Sequence, residues 1–91
     1  MSQRRAVVSV IGKDQVGIIA KVTSVLAEKE VNILDISQTI LDDFFTMMMS
    51  VDVTKISDFE LLQTALRILG ETMGLTINIQ REEIFEAMHR V

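Results

Sequence analysis

The sequence predicts a single α+β domain in which four strands form one sheet and two helices cover one of its faces. Three observations lead to this prediction. The chain has 91 residues, enough for one domain, and 48% of them are hydrophobic. Apolar residues repeat with a period of two in some segments and with helical spacing in others. These segments follow one another in the order β-α-β-β-α-β, with one more helical segment at the end.

The first two predicted elements are a strand and a helix joined by a polar turn. Residues 5–11 alternate as a strand does, with Val8 and Val10 on one face. Apolar helical spacing follows at Ile18, Val22, Val25 and Leu26, with Lys29 continuing it. We expect this helix to end near Glu30, with Asp14 as the candidate N-cap.

The next two elements are strands joined by a tight turn. Residues 32–41 have a strand-like pattern, and Asp42-Asp43 is the natural turn after them. Residues 44–53 alternate most clearly. One face of this strand holds Phe45, Met47, Met49, Val51 and Val53, and the other holds Phe44, Thr46, Met48, Ser50 and Asp52.

A second helix and a last strand complete the pattern. Ser57 and Glu60 have the spacing of a capping box, and Gly74 is the preferred stop of the helix that they open. This helix points Phe59, Leu62, Leu66, Leu69 and Met73 toward a core. Residues 75–79 form a short strand, and a C-terminal helix is expected to hold Ile84, Phe85 and Met88. One sheet with two helices on one face, in this order, is the ferredoxin-like arrangement.

Composition excludes several classes of partner. The net charge is -4, the pI is near 4.8, and no basic cluster exceeds Arg4-Arg5, so nucleic acid and anionic membranes are poor partners. There is no cysteine, which excludes disulfides and thiolate metal sites. The N-terminus has no signal-peptide pattern and no run of residues reaches membrane-spanning length. We therefore expect a cytoplasmic location.

The turn within residues 12–20 is the most informative motif. It contains Gly12 and Gly17 between an apolar strand and a helix. Such a junction brings free backbone N–H groups and the positive end of a helix to one place. It is suited to an anionic group such as a carboxylate.

The chain resembles a known protein family. The turn Asp14-x-x-Gly17-Ile18, the segment Val31-Asn32-Ile33 and the order of elements together resemble an ACT domain, over residues 5–80. Residues 81–91 would then be a C-terminal helical extension. Three runs (Gln38-Thr39, Phe45-Thr46-Met47-Met48 and residues 84–88) resemble the small stand-alone ACT proteins of bacteria and archaea.

The resemblance implies a function and a site. ACT domains bind small effectors, most often amino acids, and pair side by side as homodimers with the ligand at the seam. One side of the pocket would be the first turn of one subunit, and the other side the start of the second strand of its neighbour. Carried over to this chain, these residues are Asp14, Gln15, Val16, Gly17 and Ile18, and Asn32, Ile33 and Leu34.

The physical chemistry of these residues fits that role. Gly17 allows close approach of a ligand to the backbone, the amides of residues 16–18 suit a carboxylate, and Asp14 or Asn32 suits an ammonium group. Many ACT turns have a proline where this chain has Val16. Most ACT domains are also joined to the enzyme that they regulate, so a chain with no such enzyme would act on a separate enzyme or regulator.

Each of these features also has a purely structural interpretation. Asp14 would be only a helix cap, Gly17 would serve helix–sheet packing, and Asn32 would start the second strand. Asp42-Asp43 is turn chemistry and not a metal pair. Phe44 and Met48 fall on the face without helices, which would suit a sheet covered by another subunit.

Catalysis is not expected, nor is a cofactor or a metal. Acylphosphatases share the topology, but their phosphate loop needs an arginine where this turn has Lys13. The one histidine is near the C-terminus, and no nucleophile–base pair can be assembled. RNA-binding domains of this topology need exposed aromatic residues on the central strands, and only Phe44 qualifies. The alternative function is a protein–protein interaction module without a bound metabolite.

Overall fold

The structure is a computed structural model that describes residues 4–83. Its elements are β1 (Arg5–Lys13), α1 (Ile18–Glu28), β2 (Asn32–Leu41), β3 (Phe44–Asp52), α2 (Phe59–Met73) and β4 (Leu75–Arg81). The predicted types and order are confirmed. The C-terminal helix expected at Ile84, Phe85 and Met88 lies outside the described residues. Within residues 4–83, neither helix is long and apolar enough to cross a membrane.

The strands form one antiparallel sheet in the order β2-β3-β1-β4. The turn at Asp42-Asp43 closes the β2–β3 hairpin, as predicted, and Asp42 has the positive φ of 56° that a tight turn requires. Each of the two helices forms a crossover, so β1 and β3 lie in the middle while β2 and β4 are the edges. This is the ferredoxin-like fold.

The hydrophobic core lies between the sheet and the two helices. Its largest fully buried side chains include Leu26, Met47, Met49, Leu62 and Leu66. The alternation predicted for β3 is confirmed, because the Phe45 stripe is buried while Phe44 and Met48 are exposed on the face without helices. Edge strand β4 is also covered on its inner face, since α2 packs against it.

The predicted start of α1 was wrong. Asp14 is not its N-cap; that position belongs to Gly17, which has no side chain with which to cap the helix. The reason is that β1 runs on to Lys13, opposite Phe44, and the Asp14 N–H still donates to the Asp43 carbonyl at 2.7 Å. The end of α1 was also placed slightly late. The helix stops at Glu28, because Glu30 takes a φ of 60° that lets the chain reverse into β2.

The predicted cap of α2 was wrong by one residue. Asp58, and not Ser57, is the N-cap, and its carboxylate accepts hydrogen bonds from the N–H groups of Glu60 at 3.0 Å and Leu61 at 3.3 Å. A cap of this kind contributes about 1 kcal/mol. The predicted stop is confirmed. Gly74 has a left-handed φ of 73°, and its N–H donates to the Gly70 carbonyl.

Candidate ligand site

The predicted turn lies at one end of the sheet, immediately after β1. Its start is held by two hydrogen bonds. The backbone N–H of Asp14 donates to the Asp43 carbonyl at 2.7 Å, and the side-chain amide Nε2 of Gln15 donates to the Met73 carbonyl at 2.9 Å. These bonds tie the turn to the β2–β3 hairpin on one side and to the end of α2 on the other. The turn is therefore anchored to the fold at both sides.

Gly17 is the residue at which the turn becomes a helix. Its φ of 92° is in the left-handed region, where a Cβ is unfavourable. Among residues 4–83, no atom outside Gly17 and its two chain neighbours lies within 4 Å of the position that a Cβ would take. Tight helix–sheet packing therefore does not explain this glycine. The open space leaves room for another molecule to approach the backbone.

The first turn of α1 differs from that of α2 in how its N–H groups are satisfied. In α2, Asp58 accepts from two of them and Glu60 places a negative charge nearby. In α1, the N-cap is Gly17, which has no side chain to accept from them, and the first turn contains no acidic residue. The positive end of α1 is consequently left to solvent or to an anion.

The remaining turn residues have different surroundings. Val16 is 99% exposed at the tip of the turn, and Ile18 is only 2% exposed because its side chain enters the core. Ile18 can therefore offer a ligand only its backbone. The side chain of Gln15 is engaged with Met73, an interaction that the sequence pattern did not indicate.

The second group of predicted site residues begins β2. Asn32 is exposed and lies opposite Asp52, and Ile33 is half-buried opposite Val51. The register shifts between Ile33 and Asp35, so Leu34 is the extra residue of a β-bulge. A bulge on an edge strand locally turns side chains and leaves part of the backbone without a partner in the sheet.

Within one protomer, the structure does not bring the two groups together. The turn follows Lys13, which lies opposite Phe44, whereas Asn32 lies opposite Asp52. Phe44 and Asp52 are the two ends of β3, which makes the separation about 26 Å at about 3.3 Å per residue. A pocket formed by both groups therefore requires two protomers.

Edge strand β2 has exposed apolar side chains along its length, including Leu34, Ile36 and Ile40. Ile36 and Ile40 lie opposite Met49 and Phe45, so they belong to the face that the helices cover, but no helix buries them. Ile19 on α1 is exposed as well. The alternation of the sequence did not predict that β2 has exposed apolar side chains. Alternation assigns residues to the two faces of a sheet, but it does not say which strand the helices leave uncovered.

Comparison with known proteins decides the family. A family profile described as "ACT domain" matches residues 4–80. The chain belongs to the ACT domain family. ACT domains are regulatory and often bind amino acids, and the ferredoxin-like order seen here is the ACT fold.

Similar ACT proteins occur in both bacteria and archaea. A UPF0237 protein of Listeria innocua is 53% identical over 88 residues, spanning 96% of this chain and 99% of the relative. A UPF0237 protein of Methanococcus maripaludis is 54% identical, spanning 93% and 96%. The solved structure of an ACT domain protein from Streptococcus pneumoniae superposes with a TM-score of 0.81 at 44% identity, covering 97% of this chain and all of that one.

Proposed function

We propose that this ACT protein is a regulatory, homodimeric sensor of a small metabolite, with an amino acid as the first choice. The ligand lies between the turn at residues 14–18 of one protomer and residues 32–34 of its partner. No catalytic step is part of the proposal. The bound state is transmitted to a separate enzyme or regulator in the cytoplasm.

The observation that supports this proposal best is the geometry at Gly17. A left-handed glycine with open space beside it precedes a helix that no side chain caps. Backbone N–H groups at such a helix start suit the α-carboxylate of an amino acid. The carboxylate of Asp14 or the amide oxygen of Asn32 suits the α-ammonium group.

The exposed edge supports the dimer. Two β2 strands pairing antiparallel across a two-fold axis place Asn32 of one protomer beside Leu41 of the other. Leu41 lies opposite Phe44, at the end of the sheet that also holds the turn. This pairing therefore removes the 26 Å separation and assembles both groups at the seam. It also covers the apolar side chains that β2 leaves exposed.

The proposal predicts a ligand response that depends on Gly17. Purified protein is heated with each amino acid, common nucleotides and folates. A ligand at one hundred times its dissociation constant stabilises by about 2.7 kcal/mol, or roughly 10 °C for a chain of this size. We expect one compound or a small related group to give such a shift, and Gly17→Val to abolish it.

Gly74→Val is the matched control. Gly74 is also left-handed, and among residues 4–83 no atom outside its own chain neighbours lies within 4 Å of the position of a Cβ. It ends α2 and is not one of the proposed ligand contacts, although its neighbour Met73 accepts the hydrogen bond from Gln15. Both substitutions cost about 1–2 kcal/mol of backbone strain. Only Gly17→Val should remove the ligand shift. A folded protein that responds to nothing in the panel would contradict the sensor proposal and favour the protein-interaction alternative.

A further inference from the structure

The sheet face without helices, here called the open face, has a distinctive distribution of charge. In β1, and in β2 from Asp35 onward, the odd-numbered residues belong to this face. In β3 and β4 the even-numbered residues do. Its charged residues are Arg5, Lys13, Asp35 and Asp52, and the carboxylate of Glu82, just beyond β4, lies 3.8 Å from Arg5, so two positive charges stand against three negative ones. The chain as a whole has a net charge of -4. The open face, at -1 with Glu82 counted, therefore carries only a small part of that charge.

The charged residues are confined to the margins of the open face. Arg5 and Asp52 lie opposite each other at one end, where Arg5 forms an ion pair with Glu82 at 3.8 Å, Lys13 is at the other end, and Asp35 is on the edge strand. The two rows in the middle, which run through Ile11 and Met48, contain only apolar, hydroxyl and amide side chains. Such a surface can be covered without removing a charge from water.

Large apolar side chains form a continuous group on this face. Phe44 is 61% exposed and Met48 is 37% exposed. Ile11 lies opposite Thr46 and is therefore diagonal to Phe44 and to Met48. Leu41 lies directly opposite Phe44. No segment within residues 4–83 covers them. Contiguous exposed apolar side chains with a polar rim are typical of an interaction surface.

We propose that the open face is an interface between copies of this chain, and that two side-by-side dimers stack through it into a tetramer. A second copy is the occupant that the charge distribution favours. Two nearly neutral faces approach with little of the repulsion that an acidic protein otherwise exerts on itself, and Lys13 of one copy can meet Asp35 of the other. The arrangement is a sheet-on-sheet packing about 10 Å thick.

The size of the face agrees with this assembly. Four strands of seven to ten residues, about 4.8 Å apart, make a face of roughly 500 Å². One pair of such faces buries about 1,000 Å² in total, the lower limit for a specific interface. Side-by-side pairing through β2 doubles the face, so two dimers bury about 2,000 Å². The tetramer therefore depends on the side-by-side dimer of the proposed function. Contact between two open faces does not depend on that dimer.

The test is the mass of the full chain by sedimentation and light scattering between micromolar and millimolar protein. The variant Phe44→Lys with Met48→Lys places charges in the open face. Its control, Leu61→Lys with Ile68→Lys, makes the same change at exposed apolar positions on α2. We expect wild type and control to pass from dimer to tetramer. The face variant should stop at the dimer, its tetramer association weakened by about thirtyfold or more, with an unchanged circular dichroism spectrum.

An edge variant separates this proposal from the proposed function. Ile36→Lys with Ile40→Lys should disrupt side-by-side pairing and leave dimers that the open face holds together. If the edge variant loses all dimer and wild type never exceeds a dimer, the open-face proposal is overturned while the sensor dimer stands. A second double variant, Ile84→Glu with Phe85→Glu, also tests the open-face proposal. The proposal is overturned if this variant forms a tetramer that wild type lacks. That result would make the C-terminal segment the occupant of the face.

Discussion

Replacement of Leu62 by alanine is expected to lower the free energy of unfolding by about 3 kcal/mol. Leu62 is on the inner side of α2 and is fully buried, with 0% of its surface exposed. Its removal forfeits the burial of the side chain and leaves a cavity between α2 and the sheet. A domain of this size has a total stability of only about 5–10 kcal/mol, so the effect is a large fraction of the whole.

The adjacent Leu61 is the control for this prediction. It is a leucine in the same helical turn, but it is 59% exposed. Leu61→Ala should change the free energy of unfolding by about 0.5 kcal/mol or less. Urea denaturation at one fixed protein concentration measures both, because a dimer's apparent stability depends on concentration. Equal losses for the two leucines would contradict the assigned orientation of α2.

Replacement of Gly70 by valine is expected to destabilise the protein by about 3 kcal/mol. The reason is overpacking, the opposite of the cavity that Leu62→Ala leaves. Gly70 is buried where α2 crosses β4. A Cβ at this position would lie 2.7 Å from the carbonyl oxygen of Leu75 and 3.3 Å from Cγ1 of Ile77. Because the nearest atom belongs to the backbone, rotation of a side chain cannot relieve the contact. The helix must move away from the sheet.

Thr72→Val is the control for Gly70→Val. Thr72 is exposed in the same helix, and the change keeps the β-branched shape. We expect an effect within about 0.5 kcal/mol. Thermal unfolding followed by circular dichroism measures both variants. If Gly70→Val were as stable as wild type, the close approach of α2 to β4 would be wrong.

The sequence was sufficient to predict the fold, because local periodicity and stop signals agreed with each other. The alternation of residues 44–53 placed Phe45 in the core and Phe44 outside it, and Gly74 marked the end of α2. The two wrong N-caps show the limit of that reasoning. Ser57 and Asp58 are both good capping residues, and only the path of the chain decides between them. Asp14 lies just beyond the end of β1, where its N–H is bonded to Asp43, a partner remote in sequence.

The candidate site was less predictable than the fold, because its features depend on contacts between distant elements. Periodicity does not reveal the bulge at Leu34, nor that β2 is the edge left uncovered by the helices. The open space beside Gly17 also depends on where the neighbouring elements end. The residues of the pocket came from the family resemblance. The resemblance also implied that two protomers share the pocket, and the strand register adds that one protomer alone does not bring the two groups together.

A mixing experiment tests the central claim, that each pocket uses residues of two protomers. Gly17→Val disables the turn, and Asn32→Ala disables the strand. Each variant alone should bind none of the compound that wild type binds. The two are then mixed to form heterodimers, and ligand stoichiometry is measured by native mass spectrometry.

In the heterodimer, the intact turn of the Asn32→Ala protomer faces the intact strand of the Gly17→Val protomer, while the second pocket has both defects. If each pocket is shared between protomers, the heterodimer binds one ligand, against two per wild-type dimer. A heterodimer that binds none would contradict the shared pocket. Each protomer would then form its own pocket, and each would contain one defect.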